Sequence, residues 1–352
     1  MEPIKLKNPA SAFMLFLLVF SIVISIIMEL VIIFVLIPAN MVPDTIFRSM
    51  WYIIFMQIVR LLLPLLIWLV MTKDSFKRHM PTQPMGALNY VYVVFISLLA
   101  IPAMMLVSGI TSLFVNNDVA DFLAEASGSG YSWLVMMLAI AVTPGIIEEL
   151  VFRGYIQSTS RGSIRKIAIF NGLLFAIMHL NLHQFMYTFL LGIFFAYMLY
   201  YTRNIWSVII SHFLVNGVNV TLAHWAMQSV DYVDTAAEQT FSQIMYESLV
   251  TTDPELAQRA YDMFHGIDVT WIAIGMIGFF AIFATIGAAA LFYALVQHNK
   301  KGNAAFDSEK VVDEVIMDEV TDDSPPHSKI DICFILVIVI YIAFTIVLPL
   351  FV

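Results

Sequence analysis

Thr143-Pro144-Gly145-Ile146-Ile147-Glu148-Glu149-Leu150-Val151-Phe152-Arg153-Gly154-Tyr155-Ile156-Gln157 sets two adjacent carboxylates and an arginine inside an otherwise apolar segment. On a soluble helix such charges form a solvated face, but here Ile146, Ile147, Leu150, Val151 and Phe152 surround them. An ionisable group at membrane depth costs about 2.5 kcal/mol or more unless it is paired or faces a wet cavity, so it marks a functional site. The stretch therefore predicts a membrane-spanning helix built around a polar centre.

Working outward, 61% of the 352 residues are hydrophobic and 12% are charged, a balance that ordinary soluble domains do not show. The implied fold class is all-α, a polytopic transmembrane helix bundle of about nine spans. The formal charge of -9 gathers in two hydrophilic insertions and not along one surface, which argues against nucleic acid as a partner. The single Cys333 lies in the last apolar run, so no intramolecular disulfide can form. The first apolar run is too long for a cleavable signal peptide and has no small-residue cleavage site, so it reads as an uncleaved anchor.

Spans are expected at about 10–38, 47–72, 88–115, 131–160, 167–181, 184–202, 204–225, 269–296 and 332–352. They divide the chain into an N-terminal part (1–130, spans one to three), a core (131–225, spans four to seven), an acidic extracytoplasmic insertion (226–268), span eight (269–296), an acidic cytoplasmic segment (297–331) and a final span (332–352). Basic turns at Lys73 to His79, at Arg161 to Lys166 and at Lys300-Lys301 place the N-terminus in the cytoplasm and the C-terminus outside. Glu29 of span one and Arg60 of span two are expected to pair within the bundle as a structural contact. After span three, a loop with Asp118, Asp121 and Glu125 is expected. Its Gly128-Ser129-Gly130 reads as a flexible connector, since no Ser-His context accompanies it. Pro144 should kink span four. The insertion, around Phe241 to Tyr246, is expected to hold short amphipathic helices, and the run from Asp307 to Asp323 is an acidic stretch of the cytoplasmic segment.

Helix spacing then assembles a constellation. Glu149 and Arg153, four apart, share a face and can pair, while Glu148 points about 100° away and is free for general-base work. Phe175 and His179 share a face of span five, as do His212 and Asn216 of span seven. A glutamate and two histidines in a membrane cavity suit activation of water for amide hydrolysis. In one form Glu148 takes a proton from water held by His179, with His212 and Asn216 stabilising the oxyanion. In the other, Glu148, His179 and His212 hold Zn2+ or another divalent metal that acidifies the water. The zincin pattern His-Glu-x-x-His is missing; His179-Leu-Asn-Leu-His183 has only its spacing, and His183 reads as an interfacial residue near the turn.

Glu148-Glu149-x-x-x-Arg153, Phe175-x-x-x-His179 and His212-x-x-x-Asn216, in this order on successive apolar helices, resemble the three motifs of the CPBP family. That family takes in type II CAAX prenyl endopeptidases and bacteriocin-processing enzymes, and the resemblance covers about residues 131–225. It implies an intramembrane endopeptidase with Glu148 as the water-activating base, Glu149 and Arg153 as its supporting partners, and His179, His212 and Asn216 completing the centre. It implies a membrane-associated peptide or protein substrate, lipidated or of CAAX type, in the bilayer of a bacterial-type cell membrane. Both a metal-dependent and a metal-independent mechanism have been argued for the family. The acidic insertion and the last span depart from the minimal pattern and leave the substrate open. Two other classes compete: a non-catalytic scaffold or immunity protein of the same fold, and an ion-coupled transporter using Glu29, Arg60, Glu148 and Glu149, against which no inverted repeat of broken helices is evident.

Overall fold

A computed structural model describes residues 8–39, 49–228, 246, 249–264, 269–302 and 331–347. Helices dominate the described residues, and the one β-type contact is an isolated bridge between Thr82 and Asn204. The reason is elementary: a backbone in hydrocarbon must satisfy its own N–H and C=O groups, which a helix does within one segment. The helices are α1 (Pro9–Leu36), α2 (Met50–Thr72), α3 (Ala87–Thr111), α4 (Asp118–Gly128), α5 (Trp133–Thr159), α6 (Ile164–Met178), α7 (Leu182–Thr202), α8 (Ile205–Gln228), α9 (Pro254–Phe264), α10 (Val269–Gly302) and α11 (Ile332–Val347).

Seven of these, α1, α2, α3, α5, α7, α8 and α10, are long and apolar enough to cross a membrane. The expected count of nine is not confirmed among the described residues, for a reason of length. α6 has 15 residues and the described part of α11 ends at Val347, whereas crossing about 30 Å of hydrocarbon takes roughly 20 residues. A second difference concerns the segment after span three. It is the helix α4, not a loop: Asn117 caps it by accepting from the Ala120 amide at 3.0 Å, with Asp118 and Asp121 in its first turn. Gly128-Ser129-Gly130 is its C-terminal stop, with Gly130 at φ 79 and Ser129 Oγ donating to the Ala126 carbonyl. Of the acidic insertion, α9 is the described helix. Residues 241–245 and the run 307–323 lie outside the described residues.

Large apolar side chains such as Phe34, Val70, Phe114 and Leu134 are exposed on the outer faces, a lipid-facing pattern for a bundle of this composition. Inside, three apolar clusters form. One joins α1, α2, α5, α6 and α11 around Phe13, Trp68, Tyr155 and Phe175. Another joins α3, α7, α8 and α10 around Ile96, Phe195 and Val208. The third joins Met50 of α2, Ala126 of α4, Met136 of α5 and Val220 of α8. α5 runs through the first and third, so its polar centre lies where the clusters meet. The basic loop is fastened to the end of α5: His79 bonds Ser158 Oγ at 2.7 Å and Asp74 Oδ2 at 2.8 Å.

α6 and α7 pack closely. A Cβ on Gly192 would come 2.5 Å from the Gly172 Cα, and one on Gly172 would come 2.7 Å from the Phe189 carbonyl oxygen. Two glycines facing each other let the backbones touch, as small residues do at helix contacts in membranes.

Candidate active site

α5 carries two π-helical turns, Leu138–Val142 and Leu150–Ile156, on either side of Pro144 and the glutamates. Proline lacks an N–H, so the Ile140 carbonyl four residues earlier loses its usual helical partner. Side chains supply donors along this turn. Asn216 Nδ2 donates to Ile140 O at 3.1 Å, Gln57 Nε2 to Ala139 O at 3.3 Å, and Thr143 Oγ1 to Leu138 O at 2.7 Å. A widened turn of this kind is common at functional sites. Here it is held open from α2 and α8.

The charges sit at the start of the second π turn, with the glutamates just before it and Arg153 within it. Glu149 is fully buried and its Oε1 accepts from Arg153 Nη1 at 3.1 Å and from His212 Nδ1 at 2.7 Å. Arg153 Nη2 reaches the Gly192 carbonyl at 3.3 Å, and the guanidinium lies over the rings of Phe175 (4.4 Å) and Phe195 (5.1 Å). Phe195 also stacks on the His212 imidazole at 5.4 Å. A buried charge left without its partner costs about 3–5 kcal/mol, so this paired network ties α5, α7 and α8 into one register. Asn171 Nδ2 adds α6 by donating to Phe152 O, a carbonyl of the same π turn, at 2.9 Å.

Glu148 points elsewhere. It lines a cavity of about 360 Å³ together with His179, Phe152 and Met178, and with Ser25 and Glu29 of α1 and Tyr52, Gln57 and Arg60 of α2. His179 caps α6, and its Nδ1–H donates to the Phe175 carbonyl at 2.7 Å. A carbonyl only accepts, so this bond fixes the proton on Nδ1 and leaves Nε2 with a lone pair. Phe175 packs edge-on against both His179 (4.9 Å) and His212 (6.0 Å) and so spaces the two imidazoles. The turn into α7 is tight: Leu180 takes φ 48, a left-handed conformation that costs a non-glycine residue about 1 kcal/mol or more.

The structure thus brings Glu148 and His179 to one cavity, and Glu149, Arg153, His212 and Phe175 to the buried network beside it. Neither His212 nor Asn216 is among the cavity's lining residues. His183 stands apart: it is buried, with Nε2 at 2.9 Å from Ser112 Oγ of the segment after α3. The expected Glu29–Arg60 ion pair does not form; both residues line the cavity without direct contact. Sequence reading left Tyr52 and Gln57 unassigned. Their signal was a helical face, since Tyr52, Met56, Gln57 and Arg60 recur at intervals of three and four in span two.

Residues 130–218 match the family described as type II CAAX prenyl endopeptidase Rce1-like. The match spans about a quarter of the chain. The match supports the CPBP-family reading of an intramembrane protease and covers α5, α6, α7 and most of α8, the helices that carry the three motifs. No curated protein and no solved structure matches the chain at a significant level. The apolar helices and the Rce1-like match together support an integral, multi-pass membrane protein. As for a metal, no group of three His, Cys, Asp or Glu side chains is arranged to share one ion among the described residues. His212 spends Nδ1 on Glu149 and sits outside the cavity that Glu148 and His179 line, so the trio Glu148, His179 and His212 does not form a ligand set.

Proposed function

We propose that the protein is an intramembrane endopeptidase that cuts a peptide bond of a membrane-associated, CAAX-type or otherwise lipidated substrate with a water activated by Glu148. The observation that carries this reading is the separation of two neighbouring carboxylates. Glu149 is closed off by Arg153 and His212, while Glu148 faces a cavity beside a histidine whose free nitrogen is an acceptor.

Water in that cavity donates one hydrogen bond to His179 Nε2 and gives its other proton to Glu148 as its oxygen attacks the scissile carbonyl carbon. The C–N bond of the resulting tetrahedral centre then breaks, and Glu148 returns the proton to the departing nitrogen, leaving a carboxylate and an amine. His212 lies outside the cavity lining and gives Nδ1–H to Glu149, so in this reading it holds the neighbouring carboxylate in place beside the site. Asn216, engaged with Ile140 O, positions α5. The orientation with a cytoplasmic N-terminus belongs to this proposal, following the basic turns.

The test is cleavage of membrane-associated peptides, including a prenylated peptide ending in Cys-a-a-X, by the purified protein in lipid. Glu148→Gln and His179→Ala serve as controls, with and without a chelator. Cleavage by wild type, lost in Glu148→Gln by about 10²- to 10⁴-fold, is the expected result. Equal cleavage by Glu148→Gln would sink the assignment. Chelator sensitivity would return the metal to the mechanism.

A further inference from the structure

We infer that the Arg60 guanidinium is the oxyanion donor of the active site. This rests on the protease reading above, whose tetrahedral centre needs a donor that the three motifs do not supply. In the cavity, His179 spends Nδ1–H on the Phe175 carbonyl and Gln57 spends Nε2 on the Ala139 carbonyl. His212 and Asn216 are engaged outside its lining, with Glu149 and with the Ile140 carbonyl. Arg60 is the cation among the described lining residues, and its Nε is buried with no hydrogen-bond partner. Neither carboxylate of the cavity, Glu29 or Glu148, makes an ion pair with it.

α2 is built around Arg60 much as α5 is built around Glu148. Pro64 has no N–H, so the Arg60 carbonyl four residues earlier loses its helical partner. Ser21 Oγ of α1 supplies a donor at 2.8 Å, and the helix widens into a π turn over Ile58–Leu62. Such turns recur at functional sites. Gln57, next to this turn, reaches Ala139 in the first π turn of α5 at 3.3 Å, so the two widened turns are tied to each other. A cation at membrane depth is costly without an anion, yet this one is held at a cavity and left without one.

Charge and size agree with the assignment. Attack by water puts a full negative charge on the former carbonyl oxygen, in a site where a charged donor acts at low dielectric. A guanidinium stays charged there and can turn more than one N–H toward a single anion. From Glu148 through the water and the carbonyl to the guanidinium is a row of about 10 Å when stretched, and less when bent at each atom. A rounded space of about 360 Å³ is roughly 9 Å across, so one reacting carbonyl fits between the two groups. No bond to Arg60 forms or breaks; it meets the oxygen only while that oxygen is an anion.

The experiment uses the full chain in lipid and one membrane-associated peptide. Wild type, Arg60→Gln, Arg60→Lys and Arg60→Ala are assayed, with Glu148→Gln as the blank. Arg60→Gln should lower kcat by about 10²- to 10³-fold and leave KM within about twofold, because the contact belongs to the transition state. Arg60→Lys should keep part of the rate, and methylguanidinium added to Arg60→Ala should restore part of it. A peptide with a phosphonamidate in place of the scissile amide imitates the tetrahedral anion. Its affinity should fall in Arg60→Gln by the same factor as kcat, while the uncut peptide binds Glu148→Gln equally well with or without Arg60→Gln. An arginine that only held the helices together would weaken both ligands alike and ignore methylguanidinium, which overturns the inference. So does a kcat within about threefold of wild type in Arg60→Gln while Glu148→Gln stays inactive, a result that leaves the reaction itself standing. Wild type alone should bind the phosphonamidate about tenfold or more tighter than an analogue with a neutral secondary alcohol at that place, since a hydrogen bond to a charged group is worth that factor. Equal affinities overturn the inference without any variant having to fold. If wild type cleaves no peptide, the underlying reaction falls and this inference with it.

Discussion

Replacing Asn216 by leucine, alone and together with Pro144→Ala, tests whether that amide positions the helix or serves the chemistry. Asn216 Nδ2 donates to the Ile140 carbonyl, the acceptor that Pro144 deprives of a helical partner. Leucine keeps the branched shape, with bulkier methyl ends, and removes the donor. An orphaned buried carbonyl costs about 1–3 kcal/mol, and polar contacts within membranes average nearer 0.6 kcal/mol, so a loss of about 1 kcal/mol in unfolding free energy is expected. Alanine at 144 brings back the backbone N–H, and Ile140 O regains a donor within its own helix. In that background Asn216→Leu should cost little, giving a coupling of about 1 kcal/mol between two residues on different helices. The four proteins would be compared by reversible unfolding in lipid bicelles and by kcat/KM on one peptide. An amide that stabilised the oxyanion predicts a different pattern: a loss of about 10²- to 10³-fold in kcat, the same in both backgrounds, with no coupling in stability. That second pattern would refute the positioning assignment.

Further outcomes follow from the same geometry. Glu148→Gln should remove activity while leaving unfolding within about 0.5 kcal/mol of wild type, because the side chain faces a cavity and not the core; a large loss of stability would show that it is structural. Arg153→Met should destabilise by about 3–5 kcal/mol by leaving Glu149 buried without its cation, read as a lowered midpoint in the same unfolding assay. Gly192→Ala should force α6 and α7 apart and lower both stability and kcat/KM, since the new Cβ would overlap Gly172 and shift the carbonyl that receives Arg153. A chelator should leave the cleavage rate unchanged, given the lack of a three-residue ligand set among the described residues.

Much of this architecture was legible from hydropathy, because a membrane allows few ways to satisfy a backbone. The Glu149–Arg153 pair was legible too, since residues four apart share a face whatever surrounds them. The α4 helix was missed although its signals were present, an Asn117 cap, an acidic first turn and a glycine stop. Acidic residues without a long apolar stripe read as a connector when the spans on either side are so strongly apolar. The two π turns leave no such mark, because their carbonyls find donors on other helices: those before Pro144 on α2 and α8, and Phe152 O on α6. The place of Arg60 was hidden for a related reason. Sequence gives the depth of a residue along its own helix but not the rotation of that helix against its neighbours, so two opposite charges at similar depth suggested a pair where the structure has a shared cavity.

That difference bears on how a bundle keeps charges in a membrane without spending them on each other. Glu149 and Arg153 are fixed on one helix, four residues apart, and can meet in any conformation in which α5 is helical. Their pairing is therefore local and survives rearrangement elsewhere. Glu148 and Arg60 sit on different helices, so their separation depends on packing, and Gln57, one turn before Arg60, anchors α2 to the Ala139 carbonyl of α5. A bundle held this way keeps a cation and a carboxylate facing one space while preventing their collapse into an ion pair. Both groups then retain their capacity for a ligand, the carboxylate for a proton and the guanidinium for an anion. Had the two joined in contact, each would have neutralised the function of the other. Loosening the Gln57 tether, by Gln57→Leu, should accordingly let Arg60 approach Glu148 and reduce kcat, because a paired Glu148 is a weaker base. If Gln57→Leu leaves kcat at the wild-type value, the separation of the two charges does not depend on that tether.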